Sequence, residues 1–138
     1  MPEVMFFAEL GGGVYRNGER LAVAAPSEPL VGALHGRWGR PRPEESRNVE
    51  LVRLAGCCGV DYPRLIEGEC DYVLYGRSNA WDHAPGTLMV AEAGGRFGHP
   101  DGSAYTPRST GPGLVVAADP RTYAVVQRRA HLAFPPRS

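Results

Sequence analysis

The sequence has no lysine. All 15 of its basic residues are arginine, and 15 aspartates and glutamates balance them, for a formal net charge of zero. A neutral chain lacks the charge footprint of a nucleic-acid binder, so no nucleic-acid partner is expected. Long apolar runs are missing too: no stretch approaches the roughly 18 apolar residues of a spanning helix, so no membrane association is expected. The opening residues MPEVMFFAELGGG lack the basic lead and apolar run of a signal peptide. Cysteine is scarce, with three residues of which Cys57 and Cys58 are adjacent, and no CxxC spacing occurs. That is a poor disulfide framework and reads as a reducing, cytoplasmic compartment. Internal repeats and low-complexity segments are absent as well.

What remains is the composition of one globular domain. The 138 residues are 43% hydrophobic, enough to bury a core, while 18 glycines and 13 prolines imply many turns. The whole chain, residues 1–138, reads as one domain with 134–138 as a frayed tail. EVMFFAE reads as a buried strand, and GVYRNGERLAVA as a hairpin, because Asn-Gly tolerates positive φ at both turn positions. LVGALHG is a further strand. PEESRNVELVRLAG has Pro43 and two glutamates at its start and Gly56 at its end, the signs of a helix. GVDYPRLIEGE reads as a short helix, and the aromatic and β-branched CDYVLYG as a strand. The run from Asn79 to Gly95 supplies a helix of about three turns, with Ala84, Leu88 and Ala91 on one face. GGRFGHPDGSAY adds a strand and an Asp-Gly turn. GLVVAADP is a buried strand leading into a helix that Asp119 caps and Pro120 opens. Strands alternating with helices predict a layered α/β domain with a mixed, partly parallel sheet.

Asp82 carries two readings. If the helix starts at His83, Asp82 is its N-cap, accepting the free N–H groups of the first turn, and Pro85 falls in that turn at little cost. A carboxylate at a helix start also faces outward, where cations are held. The acids at Asp61, Glu67, Glu69 and Asp71 read as solvated surface groups.

The string AWDHAPGTLMVAEAGG is similar to the second signature of the inositol monophosphatase family, PWDxAxG…EAGG, at Trp81, Asp82, Ala84, Gly86 and Glu92 to Gly95. GGVYRNGERL resembles that family's GAYxNGxxL, GECDYVLYGR its strand leading to the signature, and PDGSAY with GLVVAAD its closing turn and last strand–helix unit. The resemblance runs from about Phe6 to Ala130. It implies the fold of that family's C-terminal lobe and a magnesium-dependent phosphatase acting on small phosphate monoesters. It makes Asp82 a Mg²⁺ ligand, and it places Gly56, Cys57 and Cys58, where the family has Gly-Ser/Thr-Ala, beside the substrate. His83 and Tyr75 join them as candidate substrate contacts, Tyr75 standing where the inositol enzymes carry a glutamate.

The family's other metal acids belong to an upstream glutamate and an Asp-Pro-Ile/Leu-Asp-Gly-Thr motif, and neither occurs here. The expectation is therefore a C-terminal lobe without catalytic residues that are secure on their own: a truncated product, a fragment or half of a split enzyme, incomplete without its N-terminal half. The alternative is a non-catalytic binding or assembly domain derived from that lobe. Either way, an exposed apolar face predicts homo-oligomerisation.

Overall fold

A computed structural model of the chain describes residues 4–22, 25–35, 49–51, 58–76, 79–109 and 113–133. Three short strands come first: β1 (Phe6–Glu9), β2 (Gly13–Arg16) and β3 (Glu19–Leu21), an antiparallel sheet in that order. Asn17 and Gly18 between β2 and β3 hold φ of 48° and 84°, the pair that a two-residue type I′ turn requires. β1 differs from the expected buried strand. Its residues alternate between half-buried and exposed, with Phe7 55% exposed, because it forms one edge of a small sheet covered on one face only.

The main sheet takes β4 (Leu30–His35), β5 (Val49–Leu51), β6 (Tyr72–Tyr75), β7 (Arg96–Gly98) and β8 (Leu114–Ala117) in the order β5-β4-β6-β8-β7. β5, β4 and β6 run parallel, whereas β8 is antiparallel to both β6 and β7. Three helices accompany it: α1 (Cys58–Ile66), α2 (Ala80–Glu92) and α3 (Pro120–Ala133). The mixed, partly parallel sheet flanked by helices is the architecture expected. Alternation along β6 and β8 sorts the core. Val73, Tyr75, Leu114 and Val116 pack with Tyr62, Leu65, Ile66 and Val90 of α1 and α2, while Tyr72, Leu74, Val115 and Ala117 pack with Val126 and Ala130 of α3. Val14 joins the first cluster, and α2 packs on strands of both sheets, so it lies between them.

Two helix expectations need correction. Val49–Leu51, placed in a helix over 43–56, forms β5 in register with Leu30–Gly32 of β4. An open strand edge offers three residues a hydrogen-bonded ladder, which outweighs a weak local preference; the rest of that stretch lies outside the described residues. α2 starts at Ala80, so Asn79 is its N-cap, through geometry alone with no side-chain bond, and Asp82 belongs to the first turn rather than capping it. Pro85 consequently falls past the first turn, where it has no N–H to donate to the Trp81 carbonyl. Asp119, by contrast, caps α3 as expected, accepting from the N–H groups of Arg121 at 2.9 Å and Thr122 at 3.1 Å, and from the Thr122 hydroxyl at 2.6 Å.

The acids are not all at the surface. Asp61 is fully buried and Asp71 is 4% exposed. Asp71 accepts from the N–H groups of Ser27 at 3.0 Å and Val31 at 2.7 Å, while its own N–H donates to the Val31 carbonyl and its carbonyl accepts from Ala118 N–H. Asp71 thereby ties the start of β4 to β6 through its carboxylate and to the end of β8 through its backbone carbonyl, and two donors on the carboxylate are the kind of partnering that lets a charge be buried. Glu67 and Glu69 do face solvent, in ion pairs with Arg16 at 3.2 Å and Arg64 at 3.4 Å.

Candidate functional site

The start of α1 and the start of α2 come together because α2 crosses α1 at Gly86. A Cβ on Gly86 would fall on the Tyr62 ring, on Cγ and Cδ2 and 2.6 Å from Cδ1. Only glycine lets the helices approach this closely. The crossing leaves an open hollow of about 390 Å³ whose lining includes Cys58, Gly59, Tyr62, Trp81, Asp82 and Met89. Asp82 is exposed on its rim and Trp81 beside it is 78% exposed. Asp82 is the single charged side chain among the described lining residues, so the hollow repels an anion unless a cation intervenes.

Tyr62 is the outermost member of a buried aromatic cluster. His83 is 4% exposed and its Nδ1 is hydrogen-bonded to the Tyr62 hydroxyl at 2.9 Å. Tyr62 stacks on Tyr75 with centroids 5.6 Å apart, and Tyr75 meets His83 edge-on at 4.5 Å. Burial raises both phenols well above the ordinary tyrosine value, helped by Coulombic neighbours, chiefly Tyr75 for Tyr62 and Cys58 for Tyr75. Both stay neutral and serve as hydrogen-bonding groups.

At its other end α2 is anchored by Glu92. Its carboxylate accepts from Gly11 N–H at 2.7 Å and Gly13 N–H at 2.9 Å, in the turn joining β1 to β2. Gly11 and Gly13 hold φ of 75° and 84°, a conformation that turns successive N–H groups toward an anion. Those bonds, with Arg20 nearby, lower the Glu92 pKa. The clamp fixes the axis of α2 and so the place of Asp82.

The candidates from the sequence therefore separate. Asp82 and Cys58 line the hollow; Tyr75 and His83 are buried behind Tyr62 and do not line it, so neither presents an exposed group to a ligand there. Gly56 and Cys57 fall outside the described residues. Sequence reasoning missed Tyr62, which joins the two helices, and the clamping role of Glu92. The glycine triplet Gly11–Gly13 was the available signal, but its partner is 79 residues away or more. Among the described residues no group of three His, Cys, Asp or Glu side chains could hold a metal ion. Magnesium asks for near-octahedral oxygen ligation, and Asp82 offers one carboxylate. The described residues do not by themselves fit a complete Mg²⁺ site.

The sequence profile of the inositol monophosphatase family matches residues 1–132. The chain belongs to the inositol monophosphatase family. It is 32% identical over 95 residues to a protein of Thermotoga maritima named fructose-1,6-bisphosphatase/inositol-1-monophosphatase, a match covering 64% of this chain and 37% of that protein. To the inositol-1-monophosphatase of Caulobacter vibrioides it is 28% identical over 105 residues, 67% of this chain and 41% of the relative. This inositol monophosphatase-family chain thus spans well under half the length of these relatives. Its fold superposes on the inositol monophosphatase of Anabaena with a TM-score of 0.77 at 18% identity, covering 96% of this chain and 56% of the other. No described helix is long and apolar enough to cross a membrane.

Proposed function

We propose that this chain is the C-terminal lobe of a cytoplasmic, magnesium-dependent phosphomonoesterase acting on small phosphate monoesters, and that it is incomplete as a catalyst alone. The observation that carries this reading is Asp82. It is exposed in the first turn of α2, on the rim of a hollow of a size for a small ester, and its sequence context resembles that of the acid in the family signature. Asp82 would be one ligand of the Mg²⁺, and Gly56, Cys57 and Cys58 would contribute substrate contacts. When bound, Mg²⁺ supplies charge compensation for phosphate and activates water. The remaining carboxylates come from outside the described residues. The test uses Mn²⁺ as a paramagnetic stand-in on the isotope-labelled chain. Selective broadening of the Trp81 indole and the first-turn amides of α2, lost in Asp82→Asn, is the expected result. Broadening that is unaffected by the substitution contradicts it.

A second reading, a non-catalytic assembly lobe, is favoured by large apolar side chains left exposed among the described residues. Met5 is 71% exposed, Phe7 55%, Leu10 85% and Trp81 78%. Such surface is normally covered, and a second copy of the chain is the partner proposed. Sedimentation at rising concentration should show a dimer or larger; a monomer throughout contradicts this reading.

A further inference from the structure

The indole of Trp81 lies in the open. A tryptophan side chain is highly buried on average, yet this one is 78% exposed in the first turn of α2, next to Asp82. Both side chains line the hollow. Consecutive helix positions point about 100° apart, so the indole and the carboxylate frame different sides of it. Val4, Phe6, Pro63, Pro85 and Met89 give the hollow apolar walls. Polar side chains are few among the described lining residues. Beside Asp82 and Cys58 there is the Tyr62 hydroxyl, which His83 Nδ1 already engages at 2.9 Å. A polyol brought against these walls would leave several hydroxyls without partners, and each would cost its desolvation. A flat ring loses nothing to such walls and gains the face of the indole.

We infer that Trp81 selects the alcohol half of the substrate: its indole stacks on an aromatic ring, so the hollow takes phosphate monoesters of aromatic alcohols in preference to inositol phosphates. The inference rests on the phosphomonoesterase reading of the site and names its substrate class. The ring lies against the indole and the apolar walls, while the phosphate lies toward Asp82 and the cation that this carboxylate would help to hold. Trp81 is a specificity residue and takes no part in breaking the ester bond.

The test uses two uncharged probes, benzyl alcohol and myo-inositol, so that ring binding is read without Mg²⁺ and without repulsion from Asp82. The reporter is the Trp81 indole signal of the isotope-labelled chain, assigned with Trp38→Phe. Benzyl alcohol should shift that signal saturably, and myo-inositol should leave it in place. Trp81→Ala should weaken benzyl alcohol binding about tenfold, followed on the first-turn amides of α2. Trp81→Phe should keep most of the affinity, with circular dichroism unchanged in both variants. Equal shifts from the two probes, or none from benzyl alcohol, overturn the inference even where Mn²⁺ broadening upholds the magnesium reading. Ring binding with no Mn²⁺ broadening around Asp82 takes the phosphate out of the site and overturns the substrate class with it. An indole signal that moves with protein concentration and not with benzyl alcohol gives the exposed face to a second copy of the chain, which overturns it too.

Discussion

Gly86→Ala puts one methyl group where α2 meets α1, and the structure says how much that should cost. The new Cβ would overlap Cγ and Cδ2 of Tyr62 and stand 2.6 Å from Cδ1, where ordinary contact begins near 3.4 Å. Tyr62 cannot step aside cheaply. It is 1% exposed, stacked on Tyr75, and hydrogen-bonded to His83 at 2.9 Å. Overpacking of a tight interior costs about 1–3 kcal/mol, and a clash with an immobile ring belongs at the upper end, about 3 kcal/mol. Alanine recovers about 1 kcal/mol through its better helix propensity. The net loss is about 2 kcal/mol, which for a domain of this size lowers Tm by about 8 °C. Urea unfolding followed by circular dichroism measures it directly, with an unchanged m value marking an effect on stability alone. A Gly86→Ala chain as stable as the parent would refute the close-approach account of this glycine.

Two further outcomes follow from particular bonds. The Glu92 carboxylate is held below its ordinary pKa by Gly11 and Gly13 N–H, so its stabilisation is present above the ordinary glutamate value and fades as pH falls through the lowered one. Protection of the Gly11 and Gly13 amides, measured against their intrinsic exchange rates, should therefore fall in acid for the parent, while Glu92→Gln should show a flatter profile; identical profiles would remove the clamp from the account. Asp119→Ala deletes three bonds at the start of α3 and should cost about 1–2 kcal/mol in thermal unfolding, whereas a loss near zero would mean water replaces the cap.

Elements that depend on near neighbours in the chain were legible in the sequence. The Asn17-Gly18 turn, the Asp119-Pro120 helix start and the apolar strands β6 and β8 all follow from local chemistry, and all stand where expected. What was not legible depends on distant partners. β5 exists because β4 presents an open edge, and nothing within Val49–Leu51 announces that edge. Asp71 is buried because Ser27 and Val31 supply donors from forty and more residues away. The site divides in the same way. The family signature singled out Asp82 and Gly86 from sequence, and the hollow contains both. The buried orientation of His83 follows from Tyr62 and Tyr75, which only the packed helices bring to it.

The central claim is that this lobe supplies Asp82 to a magnesium site it cannot complete. Phosphate release by the purified chain, with and without Mg²⁺, over inositol, sugar and nucleotide monophosphates and alongside Asp82→Asn, tests it most directly. The account predicts no Mg²⁺-dependent release from either protein. Magnesium-dependent turnover by the parent that Asp82→Asn abolishes would contradict it, since the chain would then build a whole catalytic site from its own residues.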